Sequence, residues 1–544
     1  MFRSAHVDSF PRDNLPPQDV WPELIFTLPE LHYPERLNCA DAFIDTHVRD
    51  GRGDRTAIIG TDGLRWSYAE LAATVNRICN VLVGNMGMVP GNRVLLRGSN
   101  TPMMVACYFA VLKAGGVVVA SMPLLRAKEL GFMIGKARIS HALCDVLLDA
   151  EMGKLAEDNT APRMLRFRSP SAPSELEALM AEASPEFAAC DTAQDDVCLI
   201  GFTSGTTGVP KGTMHFHRDM LAICDTFSRH VLRPTPDDLF LCSAPLAFTF
   251  GLGGAVLFPF REAAAALVAE RTSPADLLEA IGRFRPSILL TAPTTYRYIL
   301  ARLETADLSS LRKCVSAGEA LPRPTWDAWL KATGLRLIDG IGGTEMLHIF
   351  ISAAGGDIRP GATGKPVPGF EARVIGPEGE VLLPGVLGRL AVRGPTGCRY
   401  LDDARQSNAV QGGWNITGDS FTMDEDGYFW YGARFDDMIV SSGYNIAGPE
   451  VEEALLQHAA VMECGVVGAP DPERGQIIKA YVVLAAGFAG SDDLTKELQT
   501  HVREAIAPYK YPRAIEYVSQ LPRTETGKVQ RFVLRQQAMA AGSA

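Results

Sequence analysis

Short apolar runs alternate with helix-like segments up to about residue 360, and this rhythm limits the possible folds more than any other feature of the chain. Arg93 to Arg97 holds the apolar triplet Val94-Leu95-Leu96, a strand candidate. Met104 to Lys113 reads as a helix ending at Gly115-Gly116, and Val117-Val118-Val119-Ala120 reads as the next buried strand. Strand, helix, strand in this order predicts parallel α/β layers, since parallel neighbours need a crossover. The pattern recurs at Val197–Phe202, Leu239–Ser243, Ser287–Thr291 and Lys313–Ser316. Upstream, Ser67-x-x-Glu70 matches a capping box, and Leu71, Val75, Ile78 and Leu82 follow it at helical spacing.

The rhythm then changes. Pro360 to Gly413 is rich in Gly and Pro, with short runs at Phe370–Ile375 and Gly388–Arg393, and predicts a smaller β-rich unit. After Arg434, Pro449 suits the first turn of a helix over Glu450–His458. Strands at Cys464–Val467 and Lys479–Leu484, a helix at Asp492–Ala505 and a strand at Ala514–Val518 complete a compact α+β unit. With 544 residues the chain exceeds what one core usually serves.

Composition excludes several classes. Hydrophobic residues make up 47% and charged residues 21%, so disorder is not the main state. The net charge of −11 gives no general attraction to nucleic acid or an anionic bilayer. No apolar run approaches the length of a membrane span, and Met1 to Pro11 lacks the apolar centre of a secretory signal. The 11 cysteines are scattered without a C-x-x-C pair. They read as reduced core residues of a cytoplasmic protein rather than a disulfide framework or zinc site.

One stretch carries the chemistry. Thr203-Ser-Gly-Thr-Thr-Gly-Val-Pro-Lys-Gly212 follows an apolar strand with a flexible run of amide and hydroxyl donors. Such a loop wraps phosphate oxygens, and Lys211 adds a point charge. The usual P-loop spacing fails, because Pro210 precedes Lys211 and Gly212 follows it.

This string resembles the phosphate loop of the adenylate-forming superfamily, which includes acyl- and aryl-CoA ligases, luciferases and stand-alone adenylation domains. Asp339-Gly-Ile-Gly-Gly-Thr-Glu345 resembles its Gly-x-Thr-Glu motif, although the family's aromatic residue is missing here. Thr417-Gly-Asp419 resembles its ribose-binding motif, Arg434-Phe-Asp-Asp-Met-Ile-Val its hinge, and Pro522-Arg-Thr-Glu-Thr-Gly-Lys528 its C-terminal lysine motif. These motifs keep the family's order.

The resemblance implies an α/β fold. A large N-terminal AMP-binding domain over residues 1–433 would hold parallel α/β layers, with a β-rich subdomain over about 360–433. A small mobile α+β C-terminal domain over 437–544 would pivot at Asp436. Thr203, Ser204, Gly205, Thr206, Thr207 and Lys211 would bind ATP phosphates. Gly318, Glu319 and Ala320 would pack beside the adenine, and Asp339 and Gly340 would also belong to the ATP site. Asp419 and Arg434 would hold the ribose, while Thr344 and Glu345 would hold Mg²⁺ with hard oxygen donors. Lys528 would reach the reacting carboxylate and the α-phosphate. The small domain would then rotate and present Ser442, Gly443 and Tyr444 to the coenzyme A thiol.

Two stretches bear on the acid. Thr344-Glu-Met-Leu-His-Ile-Phe350 resembles the benzoate-CoA ligase group, whose histidine borders the aryl pocket. His348 is either that residue or a hydrogen-bonded structural histidine. Ala244 to Gly254 aligns with the segment lining the acyl site and carries Phe248, Thr249 and Phe250. Phe250 would stack on a ring. Thr249 either bonds an ortho substituent, such as the amine of 2-aminobenzoate, or is satisfied by backbone. Ile341 and Gly342 complete this pocket. The opening Ala5 to Pro17 also resembles 2-aminobenzoate-CoA ligases.

The implied reaction joins an aromatic carboxylate, best matched to benzoate or 2-aminobenzoate, to coenzyme A through an acyl-adenylate, with release of AMP and pyrophosphate. A stand-alone adenylation enzyme loading a carrier protein stays open, as does a ligase for another aromatic or medium-chain acid. The expected partners are small molecules, not nucleic acid or membrane, and monomer and homodimer both remain open.

Overall fold

The computed structural model describes residues 1–157, 161–169, 173–203, 210–303, 306–434, 437–441, 444–471, 474–523 and 528–541. The expected alternation is present but feeds two sheets. In the six-stranded sheet the order is Arg163–Phe167, His141–Asp145, Arg93–Arg97, Val117–Ser121, Val197–Thr203 and Lys211–Phe216. Its pairings are parallel up to the last, where Lys211–Phe216 returns antiparallel to Val197–Thr203.

The nine-stranded sheet runs from Lys365–Pro366 through Ile349–Ser352, Leu337–Gly342, Lys313–Ala317, Ile288–Thr291, Leu239–Cys242 and Ala265–Val268 to Thr56–Gly60 and Arg65–Ser67. Its centre is parallel and its edges are antiparallel.

Local chemistry explains the helices between these sheets. Ser67 Oγ accepts from the Glu70 N–H at 3.2 Å, and the Glu70 carboxylate accepts from the Ser67 N–H at 2.7 Å. That reciprocal cap starts helix Tyr68–Asn80, which buries Tyr68, Leu71, Val75 and Ile78. Helix Pro102–Lys113 starts with Pro at its first turn and a Thr101 cap, and it is buried on nearly every side. An all-round apolar helix must be covered by other layers. One apolar cluster accordingly joins both helices to strands of each sheet.

The β-rich unit is a five-stranded sheet of Glu371–Ile375, Gly388–Arg393, Trp414–Met423, Val410–Gln411 and Phe429–Arg434. Val374, Leu390, Val392, Phe421 and Phe429 join the main core, so the unit is a layer of the large body. Beyond it, Val461–Asp471 and Gly475–Leu484 form an antiparallel pair, and Ala514–Tyr517 adds parallel to the second. Helices Gly448–Leu456 and Asp492–Ala505 contribute to the cluster on one face of this sheet, and Arg531–Ala541 to the cluster on the other. The core clusters draw either on residues up to Phe429 or on residues from Ile439 onward, never on both.

Two details depart from the sequence reading. The segment from Lys211 is a strand, Lys211–Phe216, antiparallel to Val197–Thr203. Its polar run Lys-Gly-Thr-Met-His-Phe gave little strand signal. The expected helix Glu450–His458 is Gly448–Leu456, with Pro449 in its first turn.

Candidate active site

The hairpin places Thr203 opposite Lys211. Ser204, Gly205, Thr206 and Thr207 lie between them, outside the described residues. The Thr203 hydroxyl at the loop's mouth is buried and makes no hydrogen bond. Segment Arg399–Leu401 runs along the second strand: Met214 N–H donates to the Arg399 carbonyl, and Leu401 N–H donates to the Gly212 carbonyl. Tyr400 is thereby fixed beside the loop. Lys211 Nζ donates to the Tyr400 hydroxyl at 2.9 Å, and that hydroxyl donates to Glu345 Oε1 at 2.7 Å.

Thr344 and Glu345 form a short helical turn after strand Leu337–Gly342. Behind them is a fully buried polar group. His215 Nε2 donates to the Thr344 carbonyl at 2.8 Å. Its other nitrogen faces Asp219 at 3.6 Å, and Arg399 donates to the same carboxylate at 2.9 Å. Burial alone would raise the Asp219 pKa, but Arg399 and His215 outweigh it and hold the carboxyl well below its usual range. Thr344 is thus anchored through its backbone, leaving its hydroxyl and Glu345 Oε2 without protein partners among the described residues. Two hard oxygens on one turn fit Mg²⁺.

On the nucleotide side, Asp419 and Arg434 sit opposite each other on paired strands, with guanidinium-to-carboxylate distances of 3.3 and 3.4 Å. Burial raises the Asp419 pKa against the pull of Arg434. Gly318, with φ +92°, lets the chain turn and leaves room above it. A Cβ there would lie 3.3 Å from Lys528 Cε. Lys528 therefore reaches across from the small unit to the large one, remaining accessible to solvent. Desolvation lowers its pKa, with Glu319 and Asp419 opposing and Arg434 reinforcing. Glu319 accepts from Thr294 at 2.8 Å through one oxygen, while the other is buried without a partner. Ala320 follows in the same turn. Asp339 precedes Gly340 on the strand leading to Thr344, and its Oδ1 is buried and unpartnered. Burial pushes the Asp339 carboxyl up to about 8.

On the acyl side, His348 is buried between rings. Phe250 lies 5.5 Å away and Phe227 5.7 Å away, each at 30°, and Phe258 meets it edge-on at 4.5 Å. Neither ring nitrogen makes a hydrogen bond of normal geometry. Burial brings the His348 pKa down to about 3, so the ring is neutral. Phe250 is half-buried, as are Phe248 and Thr249, which begin helix Thr249–Leu252. The Thr249 hydroxyl has no protein partner among the described residues. Asn100 clamps the approach, donating to the Ala244 carbonyl and accepting from the Leu246 N–H. Ile341 packs half-buried on the main core, and Gly342 lies against the His348 backbone.

The hinge candidate Asp436 and the tunnel candidates Ser442 and Gly443 lie outside the described residues. Tyr444 starts a strand paired with Ser441, and its side chain is likewise not described.

The amino-terminal part, residues 45–399, matches the family model of AMP-binding enzymes, and residues 450–528 match the model of their C-terminal domain. The chain belongs to the AMP-binding enzyme family. Benzoate–CoA ligase of Thauera aromatica is 38% identical over 94% of this chain and 98% of its own length. Human mitochondrial acyl-coenzyme A synthetase ACSM3 is 32% identical over 87% of this chain and 83% of its own. Among solved structures, the anthranilate CoA ligase AuaEII in complex with anthranoyl-AMP superposes with a TM-score of 0.91, at 33% identity over 95% of this chain and all of that one. Family and fold thus agree with the resemblance read from the motifs, and they place the chain among AMP-forming acid–thiol ligases.

Sequence reasoning missed several members of this site. Tyr400 sits in Gly-Cys-Arg-Tyr-Leu, which has no spacing signature. Phe227 and Phe258 reach His348 only through the tertiary fold. The cysteines also hold a surprise away from the site. Cys39, Cys198 and His217 place their ligand atoms within 4.8 Å of one another in the core. There Cys198 and His217 outweigh desolvation and draw the Cys39 thiol down to about 6.

Proposed function

We propose that this ligase activates an aromatic carboxylate, benzoate or 2-aminobenzoate, with ATP and passes the acyl group to coenzyme A. The observation that carries the reading is the stack of Phe250 on His348. A flat, neutral, apolar wall suits an aryl ring, and the hydroxyl of Thr249, next to Phe250 in the chain, would suit a polar ortho group. The likeness to a benzoate ligase and to an anthranilate ligase supports the same class.

The residues divide the work. The 203–211 loop, Asp419 and Arg434 hold ATP, and Lys528 stabilises charge as the carboxylate attacks the α-phosphate and pyrophosphate leaves. Thr344 and Glu345 would hold Mg²⁺, which neutralises triphosphate charge when bound. The small unit then turns about the segment near Asp436, and Ser442, Gly443 and Tyr444 would serve the thiol that displaces AMP. The eleven free cysteines suit a reducing compartment such as the cytoplasm.

The test is AMP release and thioester formation across benzoate, 2-aminobenzoate, hydroxybenzoates, phenylacetate and medium-chain acids. Thioester from an aromatic acid is expected. Preference for medium-chain acids, or transfer to a phosphopantetheinyl carrier but not to free coenzyme A, would replace this reading. Thr249→Ala should shift the preference for 2-aminobenzoate over benzoate by roughly 10-fold. An unchanged ratio ends the role given to Thr249.

A further inference from the structure

Tyr400 holds a position that the division of work above leaves unused. Its ring is almost fully buried at 2% exposure, and its backbone is fixed on both sides. The Tyr400 N–H donates to Gln406 Oε1 at 2.8 Å, and Gln406 is tied in turn to the Val20 and Cys398 carbonyls. The neighbouring Arg399 and Leu401 are bonded to the strand that carries Lys211. The hydroxyl therefore has little freedom. It sits between a cation and an anion, accepting from Lys211 at 2.9 Å and donating to Glu345 at 2.7 Å. The Lys211 ammonium also lies 4.6 Å from the centre of the Tyr400 ring, within cation–π range.

Without this hydroxyl, Lys211 and Glu345 would face each other directly. A lysine ammonium and a glutamate carboxylate in a half-buried cleft close into an ion pair, and each then stops being available to a third group. With the hydroxyl between them, each charge is oriented and keeps spare capacity. Lys211 retains two N–H donors, and Glu345 retains its second oxygen. A triphosphate carrying a metal ion needs these two groups at once, one for phosphate oxygens and one for the ion.

We propose that Tyr400 is a positioning residue for the adenylation step, a neutral spacer that keeps Lys211 and Glu345 apart and aimed for the metal-bound triphosphate. This rests on the reading that Lys211 and Glu345 serve ATP. The spacer acts before and during the first half-reaction only. Thioester formation from a ready-made acyl-adenylate has no triphosphate and does not need it.

Tyr400→Phe keeps the ring and removes the spacer oxygen. The adenylation half-reaction, followed by pyrophosphate exchange, should show KM for Mg·ATP raised roughly 10–100-fold, the scale of one hydrogen bond to a charged group. Thioester formation from supplied benzoyl- or anthraniloyl-adenylate should change less than about twofold, since losses confined to one step mark a lost positioning contact. In a Glu345→Gln background the Tyr400→Phe effect on KM should shrink, because the direct pair can no longer form. Thermal unfolding checks that the variant is folded. If Tyr400→Phe is poorly folded, Gln406→Ala, which frees the Tyr400 backbone, should give the same selective rise in KM for Mg·ATP. Wild-type KM in Tyr400→Phe, or equal losses in both half-reactions, would overturn the proposal while leaving the ligase reading intact. Wild-type protein inert toward every acid would instead remove both.

Discussion

At the scale of single residues, some of the site's polar atoms are buried without hydrogen-bond partners among the described residues. Asp339 is the sharpest case. Its carboxyl is unpaired at Oδ1, and burial lifts it to about 8 in the folded chain, against roughly 4 when unfolded. Below about pH 4 both states are protonated and the folded state suffers nothing. As pH rises toward 8 the unfolded chain ionises while the folded one does not, so stability falls by up to about 1.4 kcal/mol per pH unit. Asp339→Asn cannot ionise. Its melting temperature without nucleotide should match wild type near pH 4 and exceed it increasingly toward pH 8. An advantage that does not vary with pH would contradict this account. His348, neutral and unpartnered among rings, follows the same logic with the opposite sign, favouring the folded state above about pH 6.5 and losing that contribution as acid charges the unfolded chain. Both residues were singled out in the sequence by motif, yet their missing partners were not readable there. That property depends on which atoms the rest of the fold fails to bring near.

At the scale of elements, close approach matters more than composition. A Cβ on Gly253 would lie 2.4 Å from His348 Cδ2, so the histidine ring occupies space that only glycine leaves. Gly253→Ala should push the ring toward Phe250 and destabilise the fold by about 1–3 kcal/mol. Measured kcat/KM for the aromatic acid should fall while KM for ATP stays near wild type. Equal effects on both substrates would place the damage elsewhere. Apolar runs made most strands of the two sheets legible, because a buried parallel strand reads as a continuous run. Gly388–Arg393 and Asp492–Ala505 match their expected bounds for similar reasons of pattern and capping. Strand Lys211–Phe216 was not legible. It pairs antiparallel with Val197–Thr203, and its own sequence, Lys-Gly-Thr-Met-His-Phe, carries no continuous apolar run. The division into two sheets was hidden too, since order along the chain does not say which strands pair.

At the scale of the whole molecule, Lys528 is the one motif residue seen to bridge the two bodies, over Gly318. Lys528→Ala should lower adenylation by roughly 10²–10³ while sparing thioester formation from supplied acyl-adenylate. Equal loss in both steps would contradict a site that serves each step with a different face of the small unit. The apolar clusters explain how such a change of face is affordable in free energy. Among the described residues no cluster spans Phe429 and Ile439, so a turn of the small unit would split no shared cluster. Polar contacts do cross among the described residues: the Tyr298 hydroxyl meets Glu463, and Arg323 meets Glu453. If the small unit turns as proposed, it would behave as a cassette. A homologous one from a relative would then have to match polar contacts such as these and the Lys528 position, not the packing of a shared interior cluster.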